Sequence, residues 1–176
     1  MEIEDYVEGR EIQGQTNKDT FCYWIEWKAE ELGMIRNSPA IKFGVYIDKK
    51  TQEYFYLKKY LSAQEAFNAK KREILKLLEI APKKDLKLIK LIDLTPMFKG
   101  KILFIYNPDI YLNIFSESYI DYFLQQLGIY NQNKELDILE KREVLIAINE
   151  EIGIWNTYEY TDFLYTEFGN PPKRTD

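Results

Sequence analysis

The chain contains no histidine and one cysteine in 176 residues. Without imidazole there is no Ser-His-Asp triad, no Cys-His dyad and no histidine ligand for zinc. A lone cysteine cannot close an internal disulfide, which fits a reducing, cytoplasmic setting. No stretch reaches the roughly 18 apolar residues that a membrane span needs. The acidic start Met1-Glu2-Ile3-Glu4-Asp5 lacks the basic-then-apolar order of a signal peptide. There is no Gly-x-x-x-x-Gly-Lys-Ser/Thr string to cradle phosphates, no paired-cysteine motif and no dinucleotide fingerprint, so no cofactor is expected. What is present is one domain's worth of chain, with or without a helical appendage. At this length roughly 70% of the unfolded surface can be buried, so a core needs no covalent staples.

Lys and Arg number 24 against 29 Asp and Glu, a net of −5. Nucleic-acid binding usually shows as a basic excess, and overall this chain has none. The charge is unevenly spread, however. Residues 58–101 hold twelve Lys and Arg against five Asp and Glu, leaving twelve against twenty-four elsewhere. A basic band in an acidic chain can steer a polyanion to one face. The same run, with Lys70, Lys71, Lys76, Lys83 and Lys84, can equally line a solvated helix face.

The pattern along the chain predicts an α+β fold. Residues 1–18 are polar, carry Gly9 and Gly14, and read as a loosely ordered lead-in. Asp19 or Thr20 caps a helix carrying Phe21, Trp24, Ile25, Lys28 and Leu32 up to Gly33. Residues 41–47 alternate as a strand, with Lys42, Gly44 and Tyr46 on one face, and pair with the β-prone Tyr54-Phe55-Tyr56-Leu57 in a hairpin. Ser62-Ala-Gln-Glu65 is a capping box, and the helix it opens stops before Pro82. Residues 85–94 satisfy a strand or a short helix equally. Lys101–Tyr106 and Ile110–Phe115, around Asn107-Pro108-Asp109, read as a second hairpin. Ser116 then caps a helix ended by Gly128, and helices follow at 135–152 and 158–168. The expected architecture is a small, mainly antiparallel sheet built from two β-hairpins with flanking helices and a C-terminal helical extension. Its parts are a domain over 19–130, the extension over 131–168 and the start of a linker over 169–176.

Glu26-Trp27-Lys28 has the Glu-x-Lys order of metal-dependent nucleases. Those sites need an upstream Asp, and Asp19 is the nearest; the helical period makes the string an ordinary helix surface. Aromatic residues make up 15% of the chain and cluster at 21–27, at 46–60 and at Phe104, Tyr106 and Tyr111. Aromatics beside basic residues can stack on an unpaired base. Trp24, Phe43, Phe55 and Phe104 read as core, while Tyr46, Tyr54 and Tyr56 read as the hairpin's outer face. Lys42 shares the face of Tyr46. Arg36, Asn37 and Ser38 lie in the preceding loop and suit base or phosphate contacts. The expected roles are phosphate contacts from Lys58, Lys59, Lys70 and Lys71, base or groove contacts from Arg36, Asn37, Ser38 and Lys42, and stacking from Tyr46 and Tyr56.

Three stretches in register carry a family resemblance. They are Thr20-Phe-Cys-Tyr-Trp-Ile-Glu-Trp-Lys28 with Leu32-Gly33 and Lys42-Phe-Gly-Val-Tyr46; Ala63-Gln-Glu-Ala-Phe67; and Lys101-Ile-Leu-Phe-Ile-Tyr106 with Ile114-Phe-Ser116. Over residues 19 to about 127 the chain resembles the N-terminal domain that precedes the AAA+ GTPase module of McrB-like restriction proteins. The resemblance implies a non-catalytic domain that selects double-stranded DNA, modified or unmodified. Its partners would be its own GTPase ring and an McrC-like nuclease subunit that cuts. Some members sense methylated cytosine partly by flipping the base into an aromatic pocket. Arg36-Asn-Ser-Pro39 stands where relatives carry a Gly-rich stretch, which implies a different target. The other reading of the chain is a protein-interaction module whose acidic helices over 135–168 hold a neighbouring subunit.

Overall fold

The computed structural model describes residues 1–29, 32–35 and 37–172. The chain opens with α1 (Ile3–Tyr6), where the Asp5 carboxylate accepts from the backbone N–H of Glu2 at 2.8 Å. Ile3, Tyr6 and Val7 are buried, and the Tyr6 hydroxyl donates to the Phe43 carbonyl at 2.7 Å. The first residues therefore belong to the core and are no loose lead-in. A tight hairpin follows, β1 (Glu11–Ile12) against β2 (Gln15–Thr16). Its two turn residues, Gln13 and Gly14, both take positive φ, as a turn matched to the right-handed twist of strands requires.

Thr20 caps α2 (Phe21–Tyr23), which continues into a π-helical turn over Trp24–Lys28. α3 (Pro39–Phe43) starts with proline at its first turn, where no backbone donor is needed. The strand expected over 41–47 is thus helical at its start. Gly44, at φ 85°, reverses the chain into β3 (Val45–Ile47), which pairs antiparallel with β4 (Tyr54–Tyr56). Ser62 caps α4 (Ala63–Ile80) by accepting from Glu65 N–H at 3.1 Å. The Glu65 carboxylate reaches Leu61 N–H, one residue earlier than a standard capping box.

The ambiguous segment 85–94 is α5 (Leu86–Leu91), capped by Asp85. The hairpin expected at 101–115 does not form. Residues 101–106 end α6 (Pro96–Tyr106), and no strand lies between 107 and 116. Phe98 through Phe104 are buried without interruption, so the middle of α6 is covered on all sides and its sequence shows no amphipathic period, while Ile105 and Tyr106 at its end are exposed. The remaining helices are α7 (Glu117–Gln126), α8 (Tyr130–Asn133), α9 (Ile138–Ile152) and α10 (Thr157–Phe168). The fold is α+β, with two small antiparallel hairpins among helices and a helical C-terminal region.

Two apolar clusters hold it together. One joins α1, α2, α3, β3, α4 and α6 through Tyr6, Phe43, Phe67 and Phe98; the other joins α7, α9 and α10 through Phe123, Leu145, Tyr160 and Leu164. Ile138 packs against both. Among the described residues no helix is long and apolar enough to cross a membrane.

Candidate nucleic-acid interface

The β3–β4 ribbon pairs Val45 with Tyr56, Tyr46 with Phe55 and Ile47 with Tyr54. Directly opposed residues share a face of the ribbon. Val45 and Ile47 are buried, so Tyr54 and Tyr56 sit on the inward face at its wet edge. Their hydroxyls lie 3.5 Å from Glu4 Oε1 and the Leu61 carbonyl. The outer face instead carries Tyr46 and Phe55, with ring centroids 5.7 Å apart. Phe55 is 44% exposed although an apolar ring at a strand centre reads as core. The connecting turn is rigid: the Asp48 carboxylate accepts from Thr51 and Lys50 N–H, which holds its pKa below the usual value. Gln52 bonds Glu11 N–H and the Gly9 carbonyl and so ties the two hairpins together. Lys49 and Lys50 are exposed at the tip.

The sequence-predicted cations separate into two groups. Lys58 is exposed at the ribbon's exit with no carboxylate in ion-pair range among the described residues. Lys59 is exposed and bonded to Asp93 at 2.8 Å, which raises its pKa. Lys71 donates to the Met1 carbonyl at 2.8 Å and lies over the Phe67 ring. Lys70 turns inward: its ammonium donates to the Asp93 carbonyl at 2.5 Å, and burial lowers its pKa. Lys42 lies on α3, where it pairs with the fully buried Glu26 at 2.6 Å instead of joining the face of Tyr46. Asn37 is exposed at φ 87°, and Ser38 precedes α3 without capping it. Arg36 lies outside the described residues. Tyr46 and Phe55 thus share the ribbon's outer face, with Lys49 and Lys50 at its turn and Lys58 at its opposite end, whereas Lys42 and Lys70 serve the interior.

The basic band shrinks for the same reason. Lys99 donates to the Ile89 carbonyl, and Lys101 to those of Ile25 and Ala29, both from buried positions. Lys76, Lys83, Lys84 and Lys90 pair with carboxylates. Glu26 spends one oxygen on Lys42 and the other on Ile35 N–H, so Glu26-Trp27-Lys28 presents no free carboxylate for a metal. Among the described residues no three acidic or cysteine side chains converge on a metal position.

A second concave feature has no counterpart in the sequence pattern. Asp19, Phe21, Trp24, Lys28, Phe104, Tyr106, Asn113 and Tyr158 line a cleft of about 770 Å³ between the π turn, the end of α6 and the start of α10. Trp24 is 54% exposed there, so it is not core. The walls come from segments some eighty and fifty residues apart, which no local pattern can join. No protein-family profile, characterised protein or solved structure matches the chain at a significant level.

Proposed function

We propose that the chain is a non-catalytic DNA-binding specificity domain of an McrB-like restriction system, with the β3–β4 ribbon as its reading element. The observation that carries this is the Tyr46–Phe55 pair on the outer face of a two-stranded ribbon, with Tyr46 half-buried and the Phe55 ring exposed. The major groove of B-DNA admits such a ribbon, and exposed rings can stack on bases or press on thymine methyls. Lys49, Lys50 and Lys58, exposed around the ribbon, would hold phosphates on either side. In the longer protein that the resemblance implies, the domain would deliver DNA to a GTPase ring and an McrC-like nuclease.

Fluorescence-anisotropy titration against methylated, hemimethylated, unmodified and single-stranded oligonucleotides at two salt concentrations tests this reading. Preference for one duplex is expected. Replacing Lys49, Lys50 and Lys58 together by alanine should weaken all duplexes alike, and the salt slope should flatten by about 0.9 for each phosphate no longer neutralised. Absence of binding at low salt, together with concentration-dependent self-association, would transfer the reading to an assembly module.

A further inference from the structure

We infer that the cleft between the π turn, α6 and α10 is a binding site for a small, uncharged, planar heteroaromatic molecule of the nucleoside class, separate from the ribbon. Aromatic rings reach it from all three elements: Trp24 from the π turn, Phe104 and Tyr106 from α6, Tyr158 from α10. Phe104 and Tyr158 meet edge to face at 5.1 Å, fixing one wall, while the Trp24 ring stands half in solvent. Flat apolar surfaces converging on about 770 Å³ match the size and lining of small-molecule sites.

The polar groups narrow the chemistry. The Asn113 side chain makes no hydrogen bond to the described residues, and its Oδ1 is buried without a partner. Asn113 lines the cleft, and a carboxamide carries a donor and an acceptor side by side. That pair matches the adjacent amino and ring-nitrogen groups of a base such as adenine. Among the described residues, the charged groups lining the cleft are one acid, Asp19, and one base, Lys28. With Glu159 in the first turn of α10, the described residues around it hold no excess of cations for a phosphate. This balance favours a neutral nucleoside over a nucleotide or a DNA strand.

The wall bearing Trp24 and Lys28 is also held in an unusual shape. A π turn is a poor default for a backbone and is common at functional sites. Here the fully buried Lys101 pins it by donating to the carbonyls of Ile25 and Ala29, at 2.7 and 3.1 Å. The inference is independent of the DNA reading, because the cleft and the ribbon share no residue.

The test titrates the whole chain with adenosine, cytidine, guanosine, thymidine, AMP and a short single-stranded oligonucleotide, following tryptophan fluorescence and binding heat. A saturable response to at least one nucleoside is expected. Asn113→Leu should weaken it tenfold or more, and Trp24→Phe should remove the fluorescence change while Trp27 and Trp155 still report. Phe55→Ala should leave it unmoved. Tyr106→Ala provides a second cleft variant, with circular dichroism to confirm folding. No response to any nucleoside, tighter binding of AMP than of adenosine, or a response to the oligonucleotide alone would each overturn the assignment.

Discussion

The ammonium of Lys101 is fully buried among carbonyls, with no carboxylate bonded to it. Burial pulls its pKa down to about 8, against a weaker opposing pull from Glu26. Between that value and the ordinary lysine range the unfolded chain holds a proton that the folded chain has released. Stability should therefore rise with pH from about 8 toward 10.5 and be flat below, as far as this group is concerned. Urea midpoints measured across this range should show the rise in the parent chain and a smaller one in Lys101→Met. Glu26 and Lys42 are the opposite case, a close pair in which each charge answers the other. Lys42→Met should cost about 3 kcal/mol in urea unfolding, because it leaves a carboxylate buried alone. Adding Glu26→Gln should recover much of that loss, since no unpaired charge then remains. At this scale the sequence misleads: a lysine's letter is the same whether it faces water or caps a carbonyl.

The ribbon depends on how closely the N-terminal segment approaches it. Gly9 lies at φ 97°, and a Cβ there would stand 2.0 Å from the Ile47 carbonyl oxygen. Gly9→Ala should push the segment off β3, lowering thermal stability and DNA affinity together; unchanged values of both would show that this close approach does not position the ribbon. Ser62→Ala removes the side-chain acceptor for Glu65 N–H and should cost about 1 kcal/mol in chemical unfolding. Elements with a strong local signal are legible. The Ser62 cap, the amphipathic α4 and α7 and the stop at Gly153 all stand in the sequence. Lys101–Tyr106 is not, because a mostly buried apolar run without a clear period fits a strand as well as a helix. The decisive sign lies upstream, where Thr95-Pro96 starts a helix in the way Ser38-Pro39 starts α3. The hairpin at 11–16 is hidden by its polarity, since exposed two-residue strands carry no apolar alternation.

Across the whole molecule, charge and aromatic surface are arranged differently from their order in the chain. The band over 58–101 looks like a basic face when charges are counted, yet three of its lysines serve interior carbonyls and several others are neutralised by carboxylates. Of the band, Lys58, Arg72 and Lys87 stay exposed with no carboxylate partner among the described residues, and Lys58 stands at the ribbon's exit. The ribbon itself is legible from β-propensity, but its outward pair depends on register: the pairing of Tyr46 with Phe55 follows from where the turn closes, and that brings out Phe55 in place of Tyr56. The cleft is illegible because its walls meet only after folding. Two exposed aromatic sites, one on the ribbon and one in the cleft, are thus the features that packing does not require. The ribbon's role is tested most directly by comparing the parent chain with Phe55→Ala on one series of modified and unmodified duplexes at fixed salt. Loss of base stacking, about 1–3 kcal/mol, predicts a roughly 5- to 150-fold weaker affinity for the preferred duplex and a smaller change for the others. Equal affinity of the two proteins for every duplex would contradict the assignment of the ribbon as the reading element.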